Sequence, residues 1–145
     1  IKIECYGYGS YYRFNSIRIR KKLNNISFKK FDIKLKNKIK NFDILLHLSR
    51  REGLPVAVMQ SLSEGLPVIC YNIRGNNDLI TDKFNGYFVK SYKDVLSRIF
   101  YLNLEVNLYN KMRVNAFQSI NKNFSTTNIN LNIYKIIKNY PRFNQ

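Results

Sequence analysis

Tryptophan is absent from this chain, histidine occurs once, and nine acidic residues stand against 25 Lys and Arg. With His47 as the sole histidine and no Cys/His cluster at ligand spacing, a His-based metal centre within the chain is excluded. No run of about eighteen apolar residues occurs, so no transmembrane helix is encoded. The two cysteines, Cys5 and Cys70, lie in apolar stretches and read as buried free thiols of a reducing compartment, ahead of a disulfide. There is no internal repeat, no low-complexity linker, no initiator Met and no signal-peptide layout. Ile1-Lys2-Ile3 reads as a strand already under way, as though the chain were cut from a longer one.

What is present is enough for one packed core: 145 residues, 45% of them apolar. The formal charge of +16 would suit an anionic partner, either a membrane surface or nucleic acid. No basic amphipathic helix or RNP-type aromatic motif organises that charge, so lysines on solvated faces are the leading reading and nucleic acid is disfavoured as a partner.

Hydrophobic patterning predicts alternating strands and helices. Strands are expected at 1–6, 26–28, 44–48, 67–71 and 87–89, with 44–48 buried on both faces of a parallel sheet. Helices are expected at 11–23, 33–42, 55–64, 92–102, 105–120 and 127–139, with a helical turn at 78–81. Pro55 suits the first position of its helix, Gly65 its end, and Ser125-Thr126 the cap of the last one. Val95, Leu96, Ile99 and Phe100 share one side of the helix at 92–102. The strand–helix–strand unit in the middle is a βαβ crossover, and the fold class expected is α/β, a Rossmann-like open parallel sheet flanked by helices.

In such a sheet, ligands sit beyond the carboxyl ends of the strands. Ser49-Arg50-Arg51-Glu52-Gly53-Leu54-Pro55 falls there, between a strand and a helix N-terminus whose unpaired N–H groups and dipole suit a phosphate. Gly53 lets a ligand approach the backbone. Glu52 can accept hydrogen bonds from hydroxyls, and Gln60 lies on the helix within reach of the same crevice. A phosphate-binding turn flanked by hydroxyl-binding side chains describes a nucleotide-sugar site.

The stretch 42–90 resembles the C-terminal domain of the retaining GT-B glycosyltransferases defined by an E-x7-E motif, among them enzymes that build bacterial capsules, exopolysaccharide and lipopolysaccharide. The resemblance rests on Asp43, Ser49, Glu52 to Pro55, Gly65 to Val68, Arg74 to Ile80, and Asn85-Gly86 to Val89. Weaker likeness covers the whole chain, as the donor-binding half of a GT-B fold truncated at its N-terminus. It implies transfer of a sugar from a UDP- or GDP-linked donor to an acceptor glycan or glycolipid, with no metal and no cofactor. It also implies a cytoplasmic location, peripheral at the inner membrane face.

By that resemblance, Glu52 is the catalytic-site carboxylate and holds donor-sugar hydroxyls, while Gly53 and Leu54 offer backbone N–H groups. Ser49, Arg51 and Pro55 complete the donor-binding turn. Gly7 and Gly9 read first as a tight strand-to-helix turn, with no acidic ribose partner to make a dinucleotide fingerprint, and second as cleft-lining; Asn76 and Asp78, in a loop after a strand, are further cleft-lining candidates. Gln60 stands where the second glutamate should grip the ribose, and a solvated helix residue is an equal reading of it. Arg50 and Arg51 can meet phosphate or face solvent. His47, inside an apolar strand, reads as a core histidine. The family's Arg- and Lys-bearing first loop and its N-terminal domain would precede Ile1. The chain is then part of a longer enzyme or, alternatively, an inactive remnant that binds a nucleotide or a partner. A nucleotide-sugar epimerase would share the architecture, but Glu-Gly-Leu-Pro argues against it.

Overall fold

The computed structural model describes residues 1–8 and 11–139, and it falls into two compact units, Ile1–Lys38 and Ile39–Gln145. In the first, β1 (Ile3–Gly7) pairs parallel with β2 (Ile26–Lys30) through helix α1 (Tyr11–Arg20), with Ile3 opposite Ile26 and Gly7 opposite Lys30. Rings stack in it, Tyr8 on Phe31 and Phe14 on Phe28, while its described side chains stay partly or fully exposed.

The helix expected at 33–42 does not form. Two 3-10 turns, Leu35–Asn37 and Ile39–Asn41, take its place. The Asp32 carboxylate accepts from the Lys34 N–H at 2.8 Å and from the Lys38 ammonium at 2.6 Å, a local arrangement that competes with helical hydrogen bonding.

The second unit carries the main core. Strands β3 (Leu45–His47), β4 (Val68–Tyr71) and β5 (Gly86–Val89) form a parallel ladder in the order β3-β4-β5. Helix α2 (Val56–Ser63) connects β3 to β4, and α3 (Tyr92–Leu104), α4 (Val106–Phe124) and α5 (Thr126–Lys138) follow β5. The central strand β4 is buried on both faces. Val68 and Cys70 pack with Val58, Leu62, Ala116 and Ile120, whereas Ile69 packs with Tyr87, Val95, Ile99, Leu102 and Met112. Each such fully buried aliphatic side chain stabilises the fold by about 1.5–3 kcal/mol. Double burial was expected of β3 as well, but its three residues are only partly covered.

Both cysteines are free; burial raises the Cys5 thiol pKa and, aided by Asp82, pushes Cys70 up to about 12. On α3 the buried residues are Val95, Ile99 and Leu102, so Leu96 and Phe100, placed with them in the helical reading, are exposed instead. Ser91 and Asp94 form a capping box at its start, and Ser125 caps α5 by accepting from the Asn128 N–H. Among the described residues no helix is long and apolar enough to cross a membrane.

Candidate functional site

Residues 48–55 run irregularly from the carboxyl end of β3 to the start of α2. Pro55, extended at φ −73° and ψ 110°, is the N-cap and not the first helical residue; its carbonyl accepts from Val58 and Met59. Proline at this position has no hydroxyl or carboxylate to offer, and no side chain caps α2. The first amides of the helix are therefore left for solvent or a ligand.

The turn is held from behind by the loop after β4. Gly75 is buried at φ +85°, and a Cβ there would stand 2.1 Å from the Gly53 carbonyl oxygen and 3.3 Å from Pro55 Cδ. Only a residue without a side chain permits this approach. Gly53 faces the other way in this respect: a Cβ built on it meets nothing within 4 Å. One glycine closes the back of the turn and the other leaves its front open.

Glu52 folds back onto the end of β3. Its Oε1 lies 3.2 Å from Nε2 of His47, the last residue of that strand. The carboxylate side chain is 28% exposed, against 14% for the imidazole. It is thus neither sealed in the core nor fully in solvent. His47 Nε2 is itself buried and makes no aligned hydrogen bond, although it is within ion-pair distance. His47 is mostly buried, as expected of a core histidine, but it sits at a strand end with its ring against the one acidic side chain of the turn.

The other predicted residues divide. Leu54 is exposed, Pro55 is buried, Ser49 is half-buried, and Arg50 and Arg51 are exposed. Gln60 lies on the exposed side of α2, with Val58, Ser61 and Leu62 turned inward. Asp78 is exposed, but Asn76 is fully buried and lines no open surface. Its Nδ2 donates to the Tyr71 carbonyl at 2.9 Å, and its own carbonyl accepts from Leu79 and Ile80. Asn76 therefore pins the β4 loop instead of lining a cleft. Its Oδ1 is buried without a partner. Gly7 ends β1 in the other unit, exposed, and Gly9 lies outside the described residues.

Sequence reasoning met Asn85 only as part of the family pattern and missed its structural role, buried in the loop before β5. Its Oδ1 accepts from the Thr81 N–H at 2.8 Å, and its Nδ2 donates to the Leu79 carbonyl at 2.9 Å and to Ser119 Oγ at 3.0 Å. An asparagine before a glycine reads as a turn, and only the fold brings Ser119 to it.

The model of the family described as Glycosyl transferases group 1 matches residues 6–124. The Escherichia coli enzyme UDP-Gal:alpha-D-GlcNAc-diphosphoundecaprenol alpha-1,3-galactosyltransferase is 39% identical over 54 residues, which are 37% of this chain and 14% of that enzyme. Trehalose synthase of Pyrococcus horikoshii is 28% identical over 85 residues, 59% of this chain and 20% of that one. Anabaena HepE, solved in complex with UDP-glucose, has a TM-score of 0.83 at 17% identity, over 96% of this chain and 41% of HepE. That likeness shows the fold, a GT-B glycosyltransferase architecture of parallel strands flanked by helices, matched here as a partial domain. The chain spans less than half the length of each of these proteins. Matched by one family model over most of its length, the chain belongs to the group 1 glycosyltransferases.

Proposed function

We propose that this chain contributes the donor site of a retaining glycosyltransferase, which moves a hexose from a nucleoside diphosphate sugar to an acceptor hydroxyl and keeps the anomeric configuration. The observation that carries the reading is Glu52: a part-exposed carboxylate at the carboxyl end of β3, placed directly before the uncapped start of α2. A diphosphate on the amides of α2 would bring the attached sugar against that carboxylate. The E. coli relative is named for a UDP-linked donor and a lipid diphosphate acceptor, and HepE was solved with UDP-glucose; both favour a UDP-sugar, and the first favours a glycan or glycolipid acceptor.

The proposed roles follow from charge. As the bond from the anomeric carbon to the diphosphate breaks, the leaving group gains negative charge. The dipole at the start of α2 and the Arg51 guanidinium stabilise it, with no metal ion required in this scheme. Glu52 accepts from sugar hydroxyls and fixes the ring; it is not a nucleophile, and no covalent intermediate is invoked. Gly53 and Leu54 expose backbone to the ligand. Gln60 keeps one accepting oxygen for a ribose hydroxyl where the E-x7-E pattern has a carboxylate, a loss of about 1 kcal/mol in donor binding. In this scheme a second domain binds the acceptor, surface-polysaccharide or glycoconjugate synthesis is the setting, and the +16 charge holds the protein at the anionic inner face of the cytoplasmic membrane.

Gln60 also motivates a second reading, a non-catalytic module that retains nucleotide binding. Titrating UDP-glucose, UDP-galactose and GDP-mannose by calorimetry into the protein made from the complete reading frame tests the donor site. Binding of one series and turnover with a glycan or lipid-linked acceptor support the main reading. Binding without turnover favours the module, and binding of neither series defeats both.

A further inference from the structure

His47 is the only histidine of the chain, and the donor scheme above does not use it. Its backbone is fixed: it ends β3 in register with the buried Cys70 of β4. The Glu52 backbone lies outside any ladder, since residues 48–55 belong to neither strand nor helix, and the packing of Gly75 behind the turn does not fix the rotamer of its side chain. A long carboxylate side chain on an irregular segment loses rotamer freedom when it grips a ligand, and that loss weakens binding. A rigid neighbour that holds the carboxylate beforehand removes much of the loss.

His47 Nε2 is positioned to be that neighbour. It is buried, it has no aligned hydrogen bond, and the atom it approaches, at 3.2 Å, is Glu52 Oε1. A buried ring nitrogen without a partner is costly, and the Oε1 carboxylate oxygen is already within hydrogen-bond distance of it. We infer that His47 is a positioning residue: its Nε2–H donates to Oε1, holds the carboxylate plane, and leaves Oε2 to accept from a donor-sugar hydroxyl. The inference rests on the donor-site reading of Glu52. A donor of this kind, behind the carboxylate and fixed by its strand, needs no reordering at the moment of binding.

In the full protein the ring-nitrogen NMR signals of His47 are identified by their loss in His47→Gln. In the full protein, Nε2 carries the proton, Glu52→Ala moves the Nε2 resonance, and saturating UDP-glucose moves it in wild type. His47→Leu then weakens UDP-glucose about three- to tenfold with UDP unchanged, His47→Gln restores most of the loss, and neither adds to Glu52→Ala. Proton on Nδ1 alone, a resonance indifferent to Glu52→Ala, or equal weakening of UDP and UDP-glucose by His47→Leu overturns the positioning role, even where Glu52→Ala still discriminates the sugar. If Glu52→Ala does not discriminate it, the donor-site reading fails and this inference falls with it. The NMR result decides the matter even if His47→Leu does not fold.

Discussion

Gly75 and Gly53 meet so closely that a single methyl group on Gly75 would stand 2.1 Å from the Gly53 carbonyl oxygen. The loops that leave β3 and β4 are thereby locked together behind the turn that bears Glu52. The two glycines should therefore respond oppositely to alanine. Gly75→Ala adds left-handed strain at φ +85° to a backbone clash and is expected to cost about 2–4 kcal/mol, read as a lower denaturant midpoint. Gly53→Ala has room and should leave the unfolding free energy within about 1 kcal/mol of wild type while weakening UDP-glucose. Equal destabilisation by the two would show that the turn is not built as described.

Asn85 ties its loop to α4 through Ser119. Asn85→Ala leaves the Thr81 N–H and the Leu79 carbonyl without their partners in a buried position, for an expected loss of about 2–4 kcal/mol by urea unfolding. A loss below about 0.5 kcal/mol would mean that water replaces the amide.

The capping box of α3 should appear in the acid limb of stability. The Lys90 N–H, followed by the Ser91 hydroxyl and N–H, holds the Asp94 carboxyl below its ordinary 3.8. The folded value is depressed, so the contribution is present above 3.8 and is lost as the pH falls below it. Asp94→Asn should reduce stability at neutral pH and flatten the decline measured by urea unfolding between about pH 5 and pH 2. An unchanged acid limb would remove the box from the account.

The parts of this molecule that sequence patterning makes legible are those decided by local rules. β4 reads as a buried strand because Val68, Ile69 and Cys70 are apolar on both faces, and Ser125 caps α5 through its hydroxyl. The stretch around Glu52 carries its turn chemistry in its own residues. What is not legible depends on partners distant in sequence or on competition between local bonds. Asp32 captures Lys34 and Lys38, which breaks a helix that the spacing of Ile33, Leu35 and Ile39 suggests. Asn76 looks polar and loop-borne, yet the Tyr71 carbonyl draws it fully inside. Leu96 follows the helical period, but the core beneath α3 reaches Leu102 instead. His47 looks like a core residue in an apolar run, and only the backward fold of residues 48–52 brings Glu52 to it.

The central claim is that the carboxylate on the β3–α2 turn touches the sugar and not the nucleotide. Calorimetric Kd values for UDP-glucose and UDP, measured on wild type and Glu52→Ala, separate the two contacts. Loss of a hydroxyl bond to a charged acceptor should weaken UDP-glucose about ten- to a hundredfold and leave UDP within about twofold. Equal weakening of both ligands, or no change in either, would contradict it.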